Sequence, residues 1–308
     1  MCMKNRWRTD ACLAACGVLI WFLADAARVR AAAVEALALC GRSVIPALFP
    51  FLAVSGLLIS LGFGQWLAPL FSGLMAPLFR LPGQAAGPLL LGLIGGYPIG
   101  AQTAAGLYRE GQLTAGEAER LLTFCNNSNP VFLVSVLGVG VFGSVRAGVW
   151  LWLIHVASAL LTGLFFRGHG KRGSRERVSR GIPFQALSLS TAFVGSIRDA
   201  AGGMLSVCAF VVFFYVLARP LAAAGPLLGP ALVGAVELFS LTPLLPPTPS
   251  GFLLAAGCAG WGGLSVLCQT AAALEGSGLS LRPCLLGKLL QAALSVLLAA
   301  LLAGNALG

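Results

Sequence analysis

Charged side chains are scarce in this sequence, where they make up 10% of the 308 residues, whereas hydrophobic residues make up 58%. Soluble domains carry about 25% charged residues, so this chain lacks the side chains to cover a surface that faces water. Its mean hydropathy of +0.90 indicates that most of the surface faces lipid instead. The composition therefore excludes an ordinary soluble enzyme or binding domain and predicts a protein with several membrane segments.

Sequence signatures of catalysis are also missing. No His-Glu-x-x-His zinc motif, Gly-x-Ser-x-Gly nucleophile motif or phosphate-binding loop occurs. Nine cysteines are present, but they show neither metal-ligand spacing nor the paired pattern of a disulfide framework. We therefore predict that the protein is not an enzyme and has no catalytic residue, metal site or cofactor.

The few charges are unevenly distributed, and their sum is +10. Basic residues gather at the ends of apolar segments and in one loop, from Arg167 to Arg180. No aromatic residues are interleaved with the bases of this loop, so nucleic acid is not an expected partner. An excess of Lys and Arg keeps a loop in the cytoplasm, and the second interpretation is contact with anionic lipid.

Long apolar segments fill the rest of the chain. Those long enough to span a bilayer, or nearly so, occur at 11–27, 36–62, 86–107, 120–141, 146–167, 190–218, 226–246, 250–272 and 283–305. A shorter segment, Trp66 to Phe79, is interfacial or re-entrant by its length. The predicted fold is all-α, a polytopic helical membrane protein of about eight to nine membrane segments, some of them interrupted or re-entrant.

The orientation of these segments follows from the basic loop. With that loop in the cytoplasm, straight spans would place the N-terminus outside, in spite of Lys4, Arg6 and Arg8. One re-entrant segment near the start of the chain, either 36–62 or 66–79, would return the N-terminus to the cytoplasm. The apolar run after Arg8 resembles a signal peptide, but we expect an uncleaved first helix.

A faint internal repeat relates the two halves of the chain. Each half starts with an amphipathic run, Val34 to Arg42 or Val194 to Gly203, and later contains an interrupted helix. The interruptions are Asn126 to Pro130 and Gly260 to Gly263, and such pairs point to a transport site. Whether the second half is inverted stays open. The predicted division is a membrane helix at 1–34, a first repeat at 35–167, a basic cytoplasmic loop at 168–186 and a second repeat at 187–308.

The polar interruption in the first half is the most informative feature. Asn126, Asn127, Ser128 and Asn129 precede Pro130 inside an apolar segment. Lipid cannot hydrogen-bond these groups, so protein or a water-filled cavity must cover them. Asn129 followed by Pro130 is typical of a helix N-cap with proline at the first helical position. The free N–H groups of the restarted helix suit an anionic ligand, and the alternative is a polar clasp between helices.

A second irregular stretch lies between residues 92 and 100, where glycines and Pro98 weaken helix continuity. Beside Gly96, Tyr97 offers a stacking face and a hydroxyl group. Gln102 follows about one turn later. The alternative is a close helix crossing that small residues permit.

The second half contains polar candidates of its own. Glu237 lies inside an apolar segment, where a carboxylate is costly and is a functional candidate by default. It is expected to couple a proton or Na⁺, or else to form an ion pair with Lys288. Trp261, Ser265 and Gln269 are spaced to share one helix face that could bind a planar ring, and the alternative is packing alone.

These motifs resemble a known family. The resemblance rests on Gly95-Gly96-Tyr97-Pro98-Ile99-Gly100-Ala101, Glu119-Arg120-Leu121-Leu122, Phe124-Cys125-Asn126-Asn127-Ser128 and Gly260-Trp261-Gly262-Gly263-Leu264-Ser265-Val266. In this order they resemble the sporulation integral membrane proteins of the YlbJ family, which contain nucleoside-recognition, or gate, domains. The resemblance implies a helical transporter related to concentrative nucleoside carriers. It also implies passage of dipicolinic acid from the mother cell toward the forespore during sporulation.

The expected protein is therefore an inner-membrane transporter of a small anionic solute, with dipicolinic acid as the first candidate. The resemblance implies a location in the bacterial cell membrane, specifically the mother-cell-derived outer forespore membrane. The alternatives are a carrier of nucleosides or other small solutes and a non-transporting scaffold for assembly of the spore envelope. An oligomer is compatible with each of these functions. The predicted substrate-binding residues are Gly96, Tyr97, Pro98, Gln102, Asn126, Asn127, Ser128, Asn129, Trp261, Ser265 and Gln269, with Glu237 for ion coupling.

Overall fold

The computed structural model describes residues 3–168 and 188–307, and all regular structure in these two ranges is helical. The numbered helices are α1 (Met3–Ala24), α2 (Ala26–Leu39), α3 (Ile45–Ser60), α4 (Phe63–Phe79), α5 (Ala86–Gly95), α6 (Ile99–Arg109), α7 (Ala115–Leu122), α8 (Val145–Phe166), α9 (Leu189–Ala218), α10 (Leu228–Val236), α11 (Leu238–Leu241), α12 (Pro249–Trp261), α13 (Gly263–Leu274) and α14 (Arg282–Leu307). Two π-helical stretches lie at Cys40–Val44 and Phe132–Val139. The predicted basic loop at 168–186 lies outside the described residues, except for Gly168.

Five helical stretches of the described chain are long and apolar enough to cross a membrane. They are Ala26–Ser60, Val145–Phe166, Leu189–Ala224, Pro249–Leu274 and Arg282–Leu307. Their length and composition confirm the prediction of a polytopic helical membrane protein. The remaining apolar segments form shorter helices that are interrupted or folded back, so length alone does not identify them.

The first of these stretches joins α2, the π-helical turn at Cys40–Val44 and α3 into one helix of 35 residues. It packs antiparallel to α9: Gly56 lies against Ser196, and Glu35 accepts a hydrogen bond from the Tyr215 hydroxyl at 3.0 Å. At 1.5 Å per residue the helix is about 52 Å long, more than the hydrocarbon thickness of a bilayer. The segment 36–62 is therefore continuous and is not a re-entrant hairpin.

One end of the molecule, which we call the arginine end, is marked by Arg80, Arg109 and Arg120. The Arg120 guanidinium donates to the carbonyl oxygen of Arg80 at 3.0 Å, which joins the last turn of α7 to the end of α4. The Arg109 guanidinium donates to the carbonyl oxygen of Glu275 at 2.9 Å, which joins the end of α6 to the end of α13. These contacts fix which helix termini lie together.

Helix α4 begins and ends near the arginine end. Its N-terminal neighbour Gly62 lines the same surface groove as Glu110, and Arg80 follows its last turn. Among its described side chains, the large apolar ones that are exposed recur at every fourth residue, at Trp66, Leu70, Leu74 and Leu78. Such an exposed apolar stripe is typical of a helix that lies in the membrane interface.

The segment 86–107 was predicted as a straight span, and this prediction is wrong. A Cβ atom on Gly92 would lie 3.0 Å from the Cα atom of Gly100, so α6 runs back along α5. Gly87 and Gly106 accordingly line one groove near the arginine end. The re-entrant segment is thus the α5–α6 hairpin, with its tip at Gly96–Pro98, and not 36–62. Glycine lets the two backbones approach this closely.

A second hairpin enters from the opposite end. Helix α9 runs away from the arginine end, and α10 starts after it and ends at Glu237. Helix α11 then turns back, because a Cβ atom on Gly234 would lie 2.8 Å from the Leu241 side chain. The chain next reaches Pro246, whose carbonyl oxygen lies against Gly251 at the start of α12. The α10–α11 hairpin therefore opens away from the arginine end.

Each hairpin is followed by an interrupted helix that crosses the molecule. Helix α7 leaves the arginine end, breaks at residues 123–129 and continues as the π-helix Phe132–Val139. Helix α12 starts at the opposite end, breaks at Gly262 and continues as α13 to the arginine end. Both predicted interruptions are confirmed. Because hairpin and interrupted helix run in opposite directions in the two halves, the halves are inverted relative to each other, which settles the question left open by the sequence.

Candidate functional site

The two hairpin tips and the two interrupted helices meet around one cavity of about 30 Å³. Both halves contribute residues to its wall. The first half provides Leu48 of α3, Tyr97 at its hairpin tip and Asn129 at its break, and the second half provides Val207 of α9, Glu237 at its hairpin tip and Gln269 of α13. The cavity therefore lies between the inverted halves, where transporters with inverted repeats bind their solutes.

Close packing of glycines positions the first break against the first hairpin. A Cβ atom would lie 1.8 Å from the Cys125 carbonyl oxygen if placed on Gly92, and 2.1 Å from it if placed on Gly100. On α14, a Cβ atom on Gly287 would lie 2.1 Å from the carbonyl oxygen of Thr123. The small-residue crossing that was the alternative interpretation is therefore present, and it holds the polar residues at the tip.

The restart of the helix after the break follows the predicted capping pattern. The backbone N–H of Phe132 donates to Asn129 Oδ1 at 2.7 Å, and Pro130 occupies the first helical position. In the usual N-cap arrangement, a side-chain oxygen accepts a hydrogen bond from the backbone N–H of the third residue after it. Asn129 is buried, so the positive end of the restarted helix faces the protein interior.

The neighbouring polar residues tie the break to other helices. Asn126 Nδ2 donates to Thr270 Oγ1 on α13 at 2.8 Å, and Asn127 Nδ2 donates to the Phe124 carbonyl oxygen at 2.7 Å. The backbone N–H of Ser128 donates to His155 Nε2 on α8 at 3.1 Å. The polar clasp that was the alternative interpretation thus accounts for part of this cluster.

Four polar atoms at the break or beside it on α8 are buried without a hydrogen-bond partner among the described residues: Asn126 Oδ1, Ser128 Oγ, Asn129 Nδ2 and His155 Nδ1. Because His155 Nε2 accepts a hydrogen bond, the neutral imidazole carries its proton on Nδ1, which makes that atom a donor. Leaving buried donors unpaired costs about 1–3 kcal/mol each. Of these residues, Ser128 and Asn129 line the cavity, where a polar solute or water would remove this cost.

Tyr97 forms the tip of the first hairpin and connects it to the second half. Its hydroxyl donates to the Ala259 carbonyl oxygen on α12 at 3.1 Å and lies beside the Ser128 hydroxyl. Gly96 precedes it with φ of +87°, a conformation that favours glycine. Gln102 is exposed on α6 and lines the surface groove near the arginine end, so the structure does not bring it to the cavity.

Glu237 forms the tip of the second hairpin and caps α11. Its carboxylate accepts from the backbone N–H of Phe239 at 3.1 Å and from the N–H and hydroxyl of Ser240. Among the described residues it makes no ion pair, so the predicted alternative of a pair with Lys288 is wrong. The carboxylate lies at the cavity wall, and ion coupling stays a prediction.

The predicted common face of Trp261, Ser265 and Gln269 is wrong. Gly262 has φ of +86° and ends α12, so Trp261 belongs to a different helix from the other two residues. Trp261 Nε1 donates to the Ala235 carbonyl oxygen at 2.8 Å and anchors α10. Gln269 lines the cavity and donates to the Ser265 hydroxyl at 3.3 Å.

Sequence reasoning gave too little weight to Lys288 and missed Gln291, which lie on α14 beside the break. The Lys288 ammonium donates to Gln291 Oε1 at 2.8 Å and to the Tyr97 hydroxyl at 3.4 Å. Gln291 Nε2 donates in turn to Asn127 Oδ1 at 3.0 Å. The signal was present, since an ionisable residue inside an apolar segment is a functional candidate.

Comparisons with known proteins agree with this description. Residues 42–147 match the family model "Gate: Nucleoside recognition", and this range contains the first hairpin and the first break. The chain is 29% identical over 289 residues to "Sporulation integral membrane protein YlbJ" of Bacillus subtilis (strain 168), covering 80% of this chain and 71% of that protein. The resemblance predicted from the motifs is thereby confirmed. No solved structure matches the chain.

Proposed function

We propose that the protein is a membrane carrier for a small anionic solute, with dipicolinic acid as the first candidate. One observation carries the proposal: the tips and breaks of two inverted halves surround a single cavity. Discontinuous helices at such a position bind solutes in transporters, because their ends offer backbone groups and partial charges.

The donors at the cavity favour an anion over a cation. Asn129 lines the cavity, and its Nδ2 is a buried donor without a partner among the described residues. The restarted helix after Asn129 adds the positive end of its dipole. A flat aromatic dicarboxylate would supply acceptor oxygens for these groups, and Tyr97 would offer it a ring face.

The size of the cavity suggests that this conformation is closed. A volume of about 30 Å³ accommodates a few water molecules at most, and an aromatic dicarboxylate is far larger. Binding therefore requires the hairpin tips to separate from the interrupted helices. Such gating of one part against another around a central site is the usual mode of alternating access.

The name of the relative supports a role in sporulation. The similarity to a sporulation integral membrane protein extends over most of the chain. We propose transport from the mother cell toward the forespore, across the outer forespore membrane. The non-transporting scaffold is the outcome that would remain if the folded protein moved no solute.

The test is uptake of labelled dipicolinic acid into vesicles that contain the purified protein, with and without a pH or Na⁺ gradient. Asn129→Asp keeps an oxygen for the N-cap but replaces the free donor by a negative charge. We expect saturable uptake by the wild type and its loss in this variant. Asn305→Asp, which adds the same charge at an exposed position of α14, is the matched control and should transport normally.

Two results would contradict the proposal. Folded wild-type protein that takes up no labelled acid under any gradient would contradict dipicolinic acid as the solute. Equal uptake by Asn129→Asp would remove the first break from the binding site. The amount of folded protein in each preparation is measured by size-exclusion chromatography, so that lost uptake is not confused with lost protein.

A nucleoside carrier is the second candidate, and the match to the nucleoside-recognition model favours it. Nucleosides are neutral, so competition separates the two functions. If the vesicles take up labelled uridine and an excess of dipicolinic acid does not reduce that uptake, the nucleoside function replaces the anionic one.

A further inference from the structure

Lys288 is a buried cation without a carboxylate partner. Its side chain is 1% exposed in the middle of the protein. Neither the ion pair of Arg28 with Asp25 nor that of Arg219 with Glu35 involves Lys288, and no carboxylate of the described residues lies within ion-pair distance of its ammonium. An isolated buried charge is costly, and natural proteins usually pair it.

The contacts of Lys288 hold the ammonium in place without neutralising it. They are the Gln291 amide oxygen at 2.8 Å, the Tyr97 hydroxyl at 3.4 Å and the Tyr97 ring, whose centroid lies 5.0 Å away. Gln291 is itself fixed by its bond to Asn127 at the first break. The cation is therefore positioned by Tyr97, which lines the cavity, and by Gln291, which is bonded to the first break.

The carboxylate at the cavity wall does not serve as the counter-ion. Glu237 accepts hydrogen bonds from Phe239 and Ser240 at the start of α11. Its oxygens face that helix, beyond ion-pair distance from Lys288. The Lys288 ammonium near the cavity therefore has no counter-ion among the described residues, because the Glu237 carboxylate caps α11 instead.

Tyr97 stands between the ammonium and the cavity. The phenol lines the cavity, and its hydroxyl is bonded to Lys288 on one side and to the Ala259 carbonyl on the other. A hydroxyl has one hydrogen and two acceptor lone pairs. It can therefore turn its hydrogen from Ala259 to an incoming oxygen while it still accepts from Lys288.

We propose that Lys288 and Tyr97 together select anionic over neutral solutes. One carboxylate of the solute takes the hydrogen of the Tyr97 hydroxyl and supplies the negative charge that Lys288 lacks. Charge-assisted hydrogen bonds of this kind are stronger than neutral ones, so the pair discriminates by charge as well as by shape. The inference rests on the proposed carrier function and adds a residue-level basis for its preference for anions.

The test compares two solutes of nearly equal shape, pyridine-2,6-dicarboxylate and its neutral diamide, in vesicles that contain the full chain. In Lys288→Gln we expect KM for the dicarboxylate to rise about 10- to 100-fold, the range set by the loss of a hydrogen bond to a charged group. Competition by the diamide should be unchanged or stronger. Arg282→Gln removes a charge from the exposed start of the same helix and should leave both values unchanged.

The outcomes separate this inference from the proposed function. Unchanged KM for the dicarboxylate in Lys288→Gln overturns the inference alone, since the wild type still transports the anion. Folded wild type that moves neither solute contradicts the carrier function and the inference with it. If Lys288→Gln does not fold, Lys288→Arg should retain the preference for the dicarboxylate and Tyr97→Phe should weaken it. Unchanged preference in Tyr97→Phe would then overturn the inference.

Discussion

Gly92 and Gly100 enclose the carbonyl oxygen of Cys125 at the base of the first hairpin tip. No larger residue fits at either position without moving backbone, because the contact is with a carbonyl oxygen and not with a flexible side chain. At the scale of single residues, the polar groups of the cavity therefore depend on residues that have no side chain at all.

The first prediction concerns this packing. Gly100→Ala places a Cβ atom 2.1 Å from the Cys125 oxygen and should destabilise the protein by about 1–3 kcal/mol, as overpacking does. Gly106→Ala is the matched control on the same helix, because no atom lies within 4 Å of the new Cβ. Thermal unfolding in detergent measures both. Equal melting temperatures in the two variants would show that the hairpin is not packed as described.

Individual residues also show what the sequence could and could not predict. The cap at Asn129 was predictable, because the Asn-Pro pair has a local and specific conformation. The role of Lys288 was not, since its contacts come from α5–α6 and from α14 itself, and hydropathy does not reveal which helix faces which. Glu237 and Lys288 satisfied the same rule for intramembrane charges, yet the structure separates them.

At the scale of elements, the sequence does not predict the direction that the chain takes after a break. The sequence predicted weakened helix continuity in 86–107 and a break in 120–141, and the structure breaks the helix in both segments. After the first the chain folds back, whereas after the second it continues across the molecule. Apolar composition is the same in both cases, because a hairpin in the protein interior and a span both avoid water. Only the close approach of Gly92 to Gly100 distinguishes them.

The role of Glu237 as the cap of α11 can be tested separately from its proposed role in ion coupling. Glu237→Gln keeps an acceptor oxygen for the N–H groups of α11 but removes the charge, so the variant should fold. We expect its uptake to lose stimulation by a pH or Na⁺ gradient. Glu237→Ala removes the cap as well and should cost about 1 kcal/mol of stability. Gradient-stimulated uptake by Glu237→Gln would exclude this carboxylate from ion coupling.

At the scale of the whole molecule, the hairpins decide the topology in the membrane. Arg80 and Arg120 are in contact, so the chain between them enters and leaves on one side. If the basic loop after α8 is cytoplasmic, as its charge predicts, the arginine end is cytoplasmic too, and a single crossing by α1 returns the N-terminus to that side. The sequence predicted that one re-entrant segment was needed for this orientation but assigned it to the wrong residues.

Labelling of single cysteines by a membrane-impermeant maleimide tests this topology, in a background without the nine native cysteines. Cysteines in place of Lys4, Arg80 and Gln112 should react only after the cells are permeabilised. Cysteines in place of Val145 and Pro247, near the opposite end, should react in intact cells that are made to carry the protein in their cell membrane. Labelling of the Arg80 variant but not of the Gln112 variant in intact cells would mean that α5 and α6 cross the membrane.

The inverted halves have a consequence for the conformational cycle. Each half contains a hairpin followed by an interrupted helix, but the sequences of the halves differ. The same arrangement of elements therefore has a different conformation in each half. If the first half took the conformation of the second, and the second that of the first, the result would be a second structure whose cavity is approached from the opposite face. The conformation of each half therefore shows the conformation that the other half would adopt in the second state of the proposed carrier. In that state the cavity would open to the opposite side of the membrane.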